Sequence, residues 1–386
     1  MWAVSALTGG HPLTGARRFF DGSALLLGVG LAVGVGMIAA ASGRRAWDAA
    51  HVALSPLLLV AGLISYELLA IPLVAGAVLA WTRRRPVLAG VLLGLAVAVA
   101  PPTAVLVVVA LVVGVRVGRG VDGLKLGATT GLVWLGLRVL LFPGVSGGLS
   151  AAWQGYKAAG PGYGSIWLIP QLLQSSRPRW ASWWFGTHPL SASITTTLSL
   201  LALIAVLAAG MALALTAGTT PRFGPVALVL LAGVLVTGKA LPPQVSLLLL
   251  PAIALAGLRW RDHLIWVGAE LAYFVGVWLY IAAQSDANRG LTAFGYLILL
   301  LARIAGICWL GVQGARAIID PRHDPGRIAA SDPGEDDGWP AASPDLEWSL
   351  AGASSHPVVT EGPAGSASAE PWLDLGTPEP APDRAP

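Results

Sequence analysis

The sequence predicts an all-α integral membrane protein with about eleven membrane-crossing helices, including three tight helical hairpins. Hydrophobic residues occupy 55% of the 386 positions, whereas only 11% are charged, which is too few to cover a water-facing surface. Long apolar runs recur along the chain, and clusters of arginine separate many of them. These features exclude an ordinary soluble domain.

Five apolar runs each have about the length of one span, since about 20 helical residues cross the hydrocarbon core. These runs cover residues 24–42, 126–142, 194–216, 264–283 and 291–318. Three longer runs, residues 52–81, 86–117 and 226–258, are each interrupted midway by polar or helix-breaking residues. Because proline and glycine tend to end a helix, each long run predicts a hairpin of two helices.

The positive charges predict how these helices are oriented. The interruptions at residues 65–67, 101–102 and 238–243 are hairpin tips, and all three fall on the same side of the membrane. Arginine clusters, such as residues 44–45 and 83–85, fall on the opposite side. Because arginine and lysine are retained in the cytoplasm, the tips are predicted to lie outside.

The chain divides into three parts by composition. Residues 1–23 are predicted to be an external segment, the remnant of a juxtamembrane helix, and residues 24–319 a polytopic domain with an external loop over residues 143–189. Of the 20 acidic residues, 13 lie from Asp320 onward, among prolines, glycines and serines. Such a mixture cannot bury enough apolar surface to fold, so residues 320–386 are predicted to form a disordered cytoplasmic tail.

Glu67 is the main candidate for a catalytic group. Only three acids, Asp21, Glu67 and Asp286, reach the predicted outer face, and an ionisable group near membrane depth indicates function because it is costly to place there. The alternative is that Glu67 begins the second helix of its hairpin, where the helix dipole favours a carboxylate. The two roles are compatible.

Lys239 and Gln244 form a second candidate site at the third hairpin tip. A point cation and an amide stand beside the helix start that Pro242 and Pro243 predict, which is an arrangement that suits a phosphate group. The alternative is a lysine whose stem lies along apolar surface while its ammonium group reaches the membrane interface.

Aromatic and hydrogen-bonding side chains crowd the predicted external loop. We expect some of them to line an external cavity together with Tyr66 and to stack on a sugar: Trp153, Tyr156, Lys157, Tyr163, Ser165 and Trp167. The loop also holds Trp180, Trp183, Trp184 and His188. The alternative is that most of these rings form the aromatic belt found at any membrane interface.

Two ionisable residues, Glu270 and Arg303, lie within the last two predicted spans. Because an isolated charge at this depth is costly, we expect them to form an ion pair between the two helices. No cofactor and no metal site are expected, since the single cysteine, Cys308, lies in an apolar run. No phosphate-binding or dinucleotide glycine pattern occurs, and no nucleic-acid partner is expected.

Several segments match the pattern of a known family. They are residues 54–56 (LSP), 64–70 (ISYELLA), 84–95 (RRPVLAGVLLGL), 164–167 (GSIW) and 259–266 (RWRDHLIW), then Lys239 with Pro243 and Gln244, Glu270 with Tyr273 and Phe274, and residues 322–325 (RHDP). Together these segments resemble glycosyltransferase family 87, which belongs to the C-type membrane glycosyltransferases. The resemblance covers nearly the whole chain before the tail.

This resemblance implies a multi-pass plasma-membrane enzyme. Its donor would be a polyprenyl-phosphate sugar, carrying a hexose or pentose with mannose favoured, and its acceptor a cell-envelope lipid or glycan at the outer face. Membrane lipids would be further partners. Lys239 and Gln244 would hold the donor phosphate, and Glu67 would serve as the base if no other carboxylate does.

The sequence also departs from the family pattern. The family's first span and first external loop, which carries its catalytic aspartate, have no counterpart here, so the chain as given is expected to be inactive. Glu67 stands where the family has an aspartate, and residues 100–103 replace a Lys-Tyr-Pro motif. The alternative function is therefore a non-catalytic protein that binds lipid-linked sugars, or a transporter.

Overall fold

The computed structural model describes residues 12–141, 148–176, 190–286 and 289–326, and every regular element in these ranges is a helix. The predicted all-α class is therefore confirmed. The predictions for Trp180, Trp183, Trp184 and His188, and those for the tail beyond residue 326, lie outside the described residues.

The α-helices are α1 (Pro12–Ser42), α2 (Ala50–Ala53), α3 (Leu57–Ala61), α4 (Ala70–Thr82), α5 (Pro86–Val99), α6 (Val105–Arg116), α7 (Gly120–Leu141), α8 (Gly148–Ala158), α9 (Ile169–Ser176), α10 (Ala192–Thr216), α11 (Phe223–Thr237), α12 (Leu249–Ala256), α13 (Trp260–Ser285) and α14 (Ala293–Ile319).

Four helical stretches within the described ranges are long and apolar enough to cross a membrane. They are Gly15–Ala53, Ala192–Thr216, Trp260–Ser285 and Ala293–Ile319. Shorter apolar helices cover Tyr66–Thr82, Pro86–Val99, Pro101–Arg116, Phe223–Thr237 and Pro243–Ala256. The chain thus has the helices of a membrane protein, and the total of eleven spans stays a prediction.

The second and third hairpins break where the prolines predict. Between α5 and α6, Ala100 is extended and a 3₁₀ turn, Pro101–Ala104, begins the returning helix. Between α11 and α12, the chain is extended at Gly238 and Pro242 before a second 3₁₀ turn, Pro243–Leu248. Proline has no N–H to donate to the preceding turn of a helix, so it can begin the new helix but cannot continue the old one.

The first hairpin differs from its prediction in one arm. The returning helix, α4, follows a 3₁₀ turn over Tyr66–Leu69, as expected. The outgoing arm is not one helix, because α2 ends at Ala53 and the five-residue α3 begins only after Pro56. Pro56 disfavours helical backbone at the residue before it, which separates the two pieces.

Helix α1 is longer than the span predicted from residue 24. It extends over 31 residues from Pro12, so part of the predicted external segment is continuous with the first span. Proline at a helix start is favourable, since its ring already holds the helical φ and the first N–H of a helix has no partner.

The three hairpin tips meet at one end of the bundle. We call residues 65–69 the first tip, residues 100–104 the second tip and residues 238–242 the third tip. Ala70, Ala100 and Leu248, which adjoin these tips, form a small buried cluster with Val99 and Val245. The 3₁₀ turn of the first tip also packs against the Pro243–Leu248 turn. The tips therefore share one end of the fold.

Arginines close the C-terminal ends of several helices at the other end of the bundle. A helix ends with unpaired carbonyl groups and a partial negative charge, which a guanidinium group can satisfy. The three side chains and their acceptors are Arg116 with the Ala217 carbonyl at 2.6 Å, Arg222 with the Leu255 carbonyl at 3.0 Å, and Arg45 with the Gly257 carbonyl at 3.3 Å. The clusters that predict orientation thus also have structural roles.

Residues 320–326 belong to the folded bundle, which moves the start of the predicted disordered tail. The Asp324 side chain is buried and accepts a hydrogen bond from Arg222. A 3₁₀ turn, Pro321–His323, leads into this contact, and the carboxylate of Asp320 caps it by accepting from the backbone N–H of Arg322 at 2.9 Å. Composition alone placed the boundary too early, because a single buried ion pair leaves no compositional signal.

Candidate functional site

A segment after α8, residues 162–167, docks along the third tip by main-chain hydrogen bonds. We call it the docked segment. The Gly162 N–H donates to the Lys239 carbonyl at 2.7 Å, and the Leu241 N–H donates to the Tyr163 carbonyl at 3.1 Å. Gly164 has a φ of +79°, and a Cβ at this position would collide with the Leu241 carbonyl. Only glycine fits here, because it tolerates left-handed backbone and close approach.

Ser165 and Trp167 hold the docked segment in place. The Ser165 hydroxyl is buried, donates to the Gly238 carbonyl at 2.9 Å and accepts from the Trp167 N–H at 3.2 Å. The indole N–H of Trp167 donates to the Thr237 carbonyl at 3.0 Å. The polar groups of both side chains are therefore used within the protein, and their predicted role as cavity lining stays a prediction.

Lys239 is buried beneath helix α8, with 6% of its surface exposed. Its Nζ donates to the Tyr156 carbonyl at 2.6 Å and to the Thr196 hydroxyl at 2.8 Å. It also lies 4.6 Å from the centre of the Tyr156 ring, in a cation–π contact. Because burial disfavours the charged form, the pKa of Lys239 is lowered from its ordinary value.

The positive charge of Lys239 has no anionic partner among the residues that the structure describes. Each partner of its ammonium group is neutral, and no acidic side chain in the described ranges forms an ion pair with it. An ammonium group has three N–H donors, of which two are occupied by these oxygens. The site therefore favours an anion electrostatically, while helix α8 encloses the ammonium group.

Glu67 begins the 3₁₀ turn of the first tip. The Ser65 hydroxyl accepts from the Glu67 N–H at 3.3 Å, and the same hydroxyl lies 3.2 Å from Oε2 of Glu67, to which it donates. Glu67 is half-buried, and the neighbouring Tyr66 is 51% exposed. The placement of Glu67 in the first turn of a helix is thus confirmed, and its catalytic role stays a prediction.

Gln244 lies in the 3₁₀ turn that packs against the turn of Glu67. It is half-buried, and its amide makes no hydrogen bond to the described part of the chain. Lys239 belongs to the same hairpin connection but reaches toward α8 and α10 instead. The two turns are therefore neighbours, whereas a common cavity for Glu67 and Lys239 stays a prediction.

Helix α8 presents aromatic and cationic side chains above the third tip. Trp153 is 46% exposed and stacks on Tyr156 with ring centres 5.7 Å apart. The Nζ of Lys157 lies 5.8 Å from the Trp153 ring centre. Tyr163, in the docked segment, is also exposed and meets Tyr280 edge-on. These exposed rings offer apolar faces of the kind on which sugars stack.

The predicted pair of Glu270 and Arg303 is confirmed, and it supports the third tip. Both side chains are fully buried, and the Nε of Arg303 donates to Oε2 of Glu270 at 2.9 Å. The Arg303 guanidinium also donates to the Leu241 carbonyl and to the Ser246 hydroxyl, which in turn donates to Glu270 at 2.8 Å. A buried ion pair is stable only when such additional hydrogen bonds satisfy its remaining groups.

Two tyrosines complete this support: Tyr273, which the resemblance includes without a role, and Tyr296, which sequence reasoning missed. The Tyr296 hydroxyl accepts from the Gly164 N–H at 3.2 Å and lies 2.8 Å from the Tyr273 hydroxyl. The Tyr273 ring in turn packs 4.2 Å from the guanidinium carbon of Arg303. The available signal was that both hydroxyls lie within apolar helices, where a buried hydroxyl needs a partner.

Comparisons with protein-family models, curated proteins and solved structures found no match. The resemblance to glycosyltransferase family 87 therefore stays a prediction from the quoted segments. In the described ranges, no group of three or more His, Cys, Asp or Glu side chains could hold a metal ion.

The chemistry available at this end of the fold follows from three groups. Glu67 provides a half-buried carboxylate that can accept a proton. Lys239 provides a cation without a counter-charge in the described part of the chain. Helix α8 and the docked segment provide exposed aromatic rings. Groups of these kinds can attract an anion, pack on an apolar ring face and take a proton from a hydroxyl.

Proposed function

We propose that this protein is a glycosyltransferase of the plasma membrane. It transfers a hexose or pentose, mannose being favoured, from a polyprenyl-phosphate sugar to a cell-envelope lipid or glycan at the outer face. The observation that carries the proposal is the buried ammonium group of Lys239, whose partners among the described residues are all neutral. Such a cation at a hairpin tip suits a phosphate that is anchored in the same membrane.

The donor phosphate binds at Lys239 in this proposal. A charge-assisted hydrogen bond from an ammonium group to a phosphate oxygen is roughly twice as strong as one to a neutral acceptor. Because Lys239 is largely removed from water, water weakens this attraction less than it would at an exposed lysine. Gln244, whose amide is unused within the described ranges, contributes a neutral donor.

Glu67 acts as the general base in this proposal. It takes the proton from a hydroxyl of the acceptor, and the acceptor oxygen then forms a bond to the anomeric carbon of the sugar. The bond from that carbon to the phosphate oxygen breaks, and polyprenyl phosphate leaves with the electron pair. The ammonium of Lys239 stabilises the negative charge that develops on the leaving phosphate.

The second candidate function is a protein that binds lipid-linked sugars without turnover. It is favoured by the scarcity of acids at this end, since Glu67 is the sole carboxylate in the sequence of the three tips. The contacts of Lys239 with Tyr156 and Thr196 are present without any ligand and do not separate the two functions.

Transfer and binding assays on the full chain in lipid nanodiscs test the proposal. The donor is radiolabelled polyprenyl-phosphate mannose, and the acceptor is an envelope lipid extract. We expect Glu67→Gln to abolish transfer while donor binding is kept, and Lys239→Gln to weaken donor binding. Asp286→Asn is the matched control, because Asp286 is an exposed acid paired with Arg289.

The possible outcomes separate the two functions. Transfer by the unmodified chain that depends on Glu67 supports the enzyme. Donor binding without transfer identifies a binding protein, and absence of donor binding contradicts both functions.

A further inference from the structure

Helix α8 covers the charged group that the proposed function assigns to the donor phosphate. The ammonium of Lys239 is enclosed by the Tyr156 carbonyl, the Tyr156 ring and the Thr196 hydroxyl. Tyr156 lies in the last turn of α8, which ends at Ala158. A phosphate can therefore contact Lys239 only if the end of α8 moves away.

The contact between Lys239 and α8 is that of a cation at a helix C-terminus. The last carbonyl groups of an α-helix have no partner within the helix, and a cation there is favoured by the helix dipole. The Tyr156 carbonyl is one of these groups, and Lys239 satisfies it from outside the helix. The lysine thus holds α8 closed in the absence of a ligand.

Within the described ranges, the packing of α8 is mainly on one other helix. Helix α8 packs on α10, where the Tyr156 hydroxyl lies 3.4 Å from the Ser199 hydroxyl, which is a long hydrogen bond. The chain beyond it is anchored independently, because the docked segment is hydrogen-bonded to the third tip from Gly162 onward. Gly160, between the helix and the docked segment, has open space around it. Helix α8 can therefore move while the docked segment stays.

We propose that phosphate binding at Lys239 releases the C-terminal end of helix α8, so that α8 is a lid that the ligand itself opens. A phosphate oxygen is a stronger acceptor for an ammonium group than the Tyr156 carbonyl, since it carries negative charge. When the ammonium group turns to phosphate, the end of α8 loses its cap. The movement also carries the Trp153 and Tyr156 rings away from Lys239, which opens space there for the sugar.

This inference rests on the proposed function in one respect, namely the assignment of the phosphate to Lys239. It adds that binding and opening are one event. A donor analogue without phosphate should leave α8 closed, because nothing then competes for the ammonium group.

Hydrogen–deuterium exchange of the full chain in nanodiscs tests the inference, read at the amides of residues 150–158. The probes are inorganic phosphate, polyprenyl phosphate, and sodium chloride at matched ionic strength. We expect either phosphate to speed exchange near the end of α8 about tenfold, because the end of the helix loses one hydrogen bond to a charged group. Chloride should have no effect.

Three variants sharpen this test. In Lys239→Gln, exchange in α8 should be fast without ligand and insensitive to phosphate. Lys125→Gln is the matched control, since Lys125 is an exposed lysine at the other end of the fold and its loss should leave the response unchanged. Thr196→Val removes the other oxygen that holds Lys239 and should lower the phosphate concentration needed, which keeps the test informative if Lys239→Gln fails to fold.

The results distinguish this inference from the proposed function. If phosphate binds and exchange in α8 stays unchanged, or if neither phosphate binds, the lid is contradicted. If Lys239→Gln abolishes transfer while phosphate leaves α8 unchanged, the proposed transferase activity is supported and the proposed lid movement is contradicted. If α8 responds to phosphate but the unmodified chain transfers no sugar, the lid movement is supported and the transferase activity is contradicted.

Discussion

The Nε atom of Arg303 on α14 lies 2.9 Å from Oε2 of Glu270 on α13, and neither side chain is exposed to solvent. The same guanidinium group also reaches the backbone of the third tip at Leu241 and Pro242. One buried ion pair therefore fixes two long helices relative to each other and to the hairpin that carries Lys239. Its removal should affect both stability and the tip.

We predict that Arg303→Leu lowers the free energy of unfolding by about 3–5 kcal/mol, because it leaves Glu270 buried without its partner. Thermal unfolding in detergent measures the loss. The matched control is Arg289→Gln, which breaks an exposed pair with Asp286 and should cost less than about 1 kcal/mol. Equal melting temperatures for the two variants would contradict the structural role of the buried pair.

We predict that a chain ending at Gly326 is as stable as the full chain, whereas a chain ending at Ile319 is less stable. Deletion of residues 327–386 should leave the melting temperature unchanged, whereas deletion from residue 320 should lower it, since Arg222 then loses the buried carboxylate of Asp324. Asp324→Asn should reproduce most of that loss, and Asp320→Asn, at an exposed cap, should not. A stable chain ending at Ile319 would be inconsistent with this anchor.

Gly164→Ala should detach the docked segment from the third tip. The new methyl group would collide with the Leu241 carbonyl, and the backbone φ of +79° is unfavourable for alanine. We expect faster hydrogen exchange at residues 162–167 and a lower melting temperature. Gly160→Ala is the control, because a methyl group there meets no neighbour. Similar exchange in both variants would show that the close approach at Gly164 is dispensable.

The two ends of the bundle should label from opposite sides of the membrane. In a Cys308→Ser background, cysteine at Ile64, next to the first tip, should react with an impermeant reagent from outside intact cells. Cysteine at Arg85 or Ser343 should react only after permeabilisation, as the positive charges predict. Reaction of all three positions from the same side would refute the orientation.

Donor binding should weaken with rising pH earlier than an ordinary lysine would allow. Burial lowers the pKa of Lys239, so the ammonium group gives up its proton at a pH below the ordinary lysine pKa of about 10.4. The free energy of unfolding should rise over the same range, because the unfolded chain still holds a proton that the folded chain has released.

Polyprenyl-phosphate binding and thermal unfolding, each measured from about pH 7 to about pH 10, check these opposite trends. Lys239→Arg should keep its binding at high pH, since the guanidinium group stays charged. Binding by the unmodified chain that is constant across this range would argue against Lys239 as the phosphate ligand.

Sequence patterns predicted the parts of this fold that depend on side-chain chemistry. The breaks at Pro101 and Pro242 follow from the missing N–H of proline. The pairing of Glu270 with Arg303 follows from the cost of an isolated charge among apolar helices. The capping position of Glu67 follows from the helix dipole.

Main-chain contacts between distant segments could not be predicted in this way. The Gly162 N–H pairs with the Lys239 carbonyl, and the Lys239 ammonium pairs with the Tyr156 carbonyl. Every residue has a carbonyl group, so no residue type marks the acceptor. The burial of Lys239 was missed for the same reason, and the RHDP segment around Asp324 did not reveal that this carboxylate is buried against Arg222.

The contact between Arg222 and Asp324 has a consequence for how the protein is made. The two residues lie 102 positions apart, and helices α11 to α14 are all synthesised after Arg222 and before Asp324. Arg222 reaches the α12 carbonyls earlier, but its carboxylate partner leaves the ribosome only after α14 is complete. A nascent chain that stops short of Asp324 carries a part-buried guanidinium group without this counter-charge. Synthesis of Asp324 is therefore the step that finishes this end of the bundle, and chains interrupted before it should be less resistant to membrane proteases.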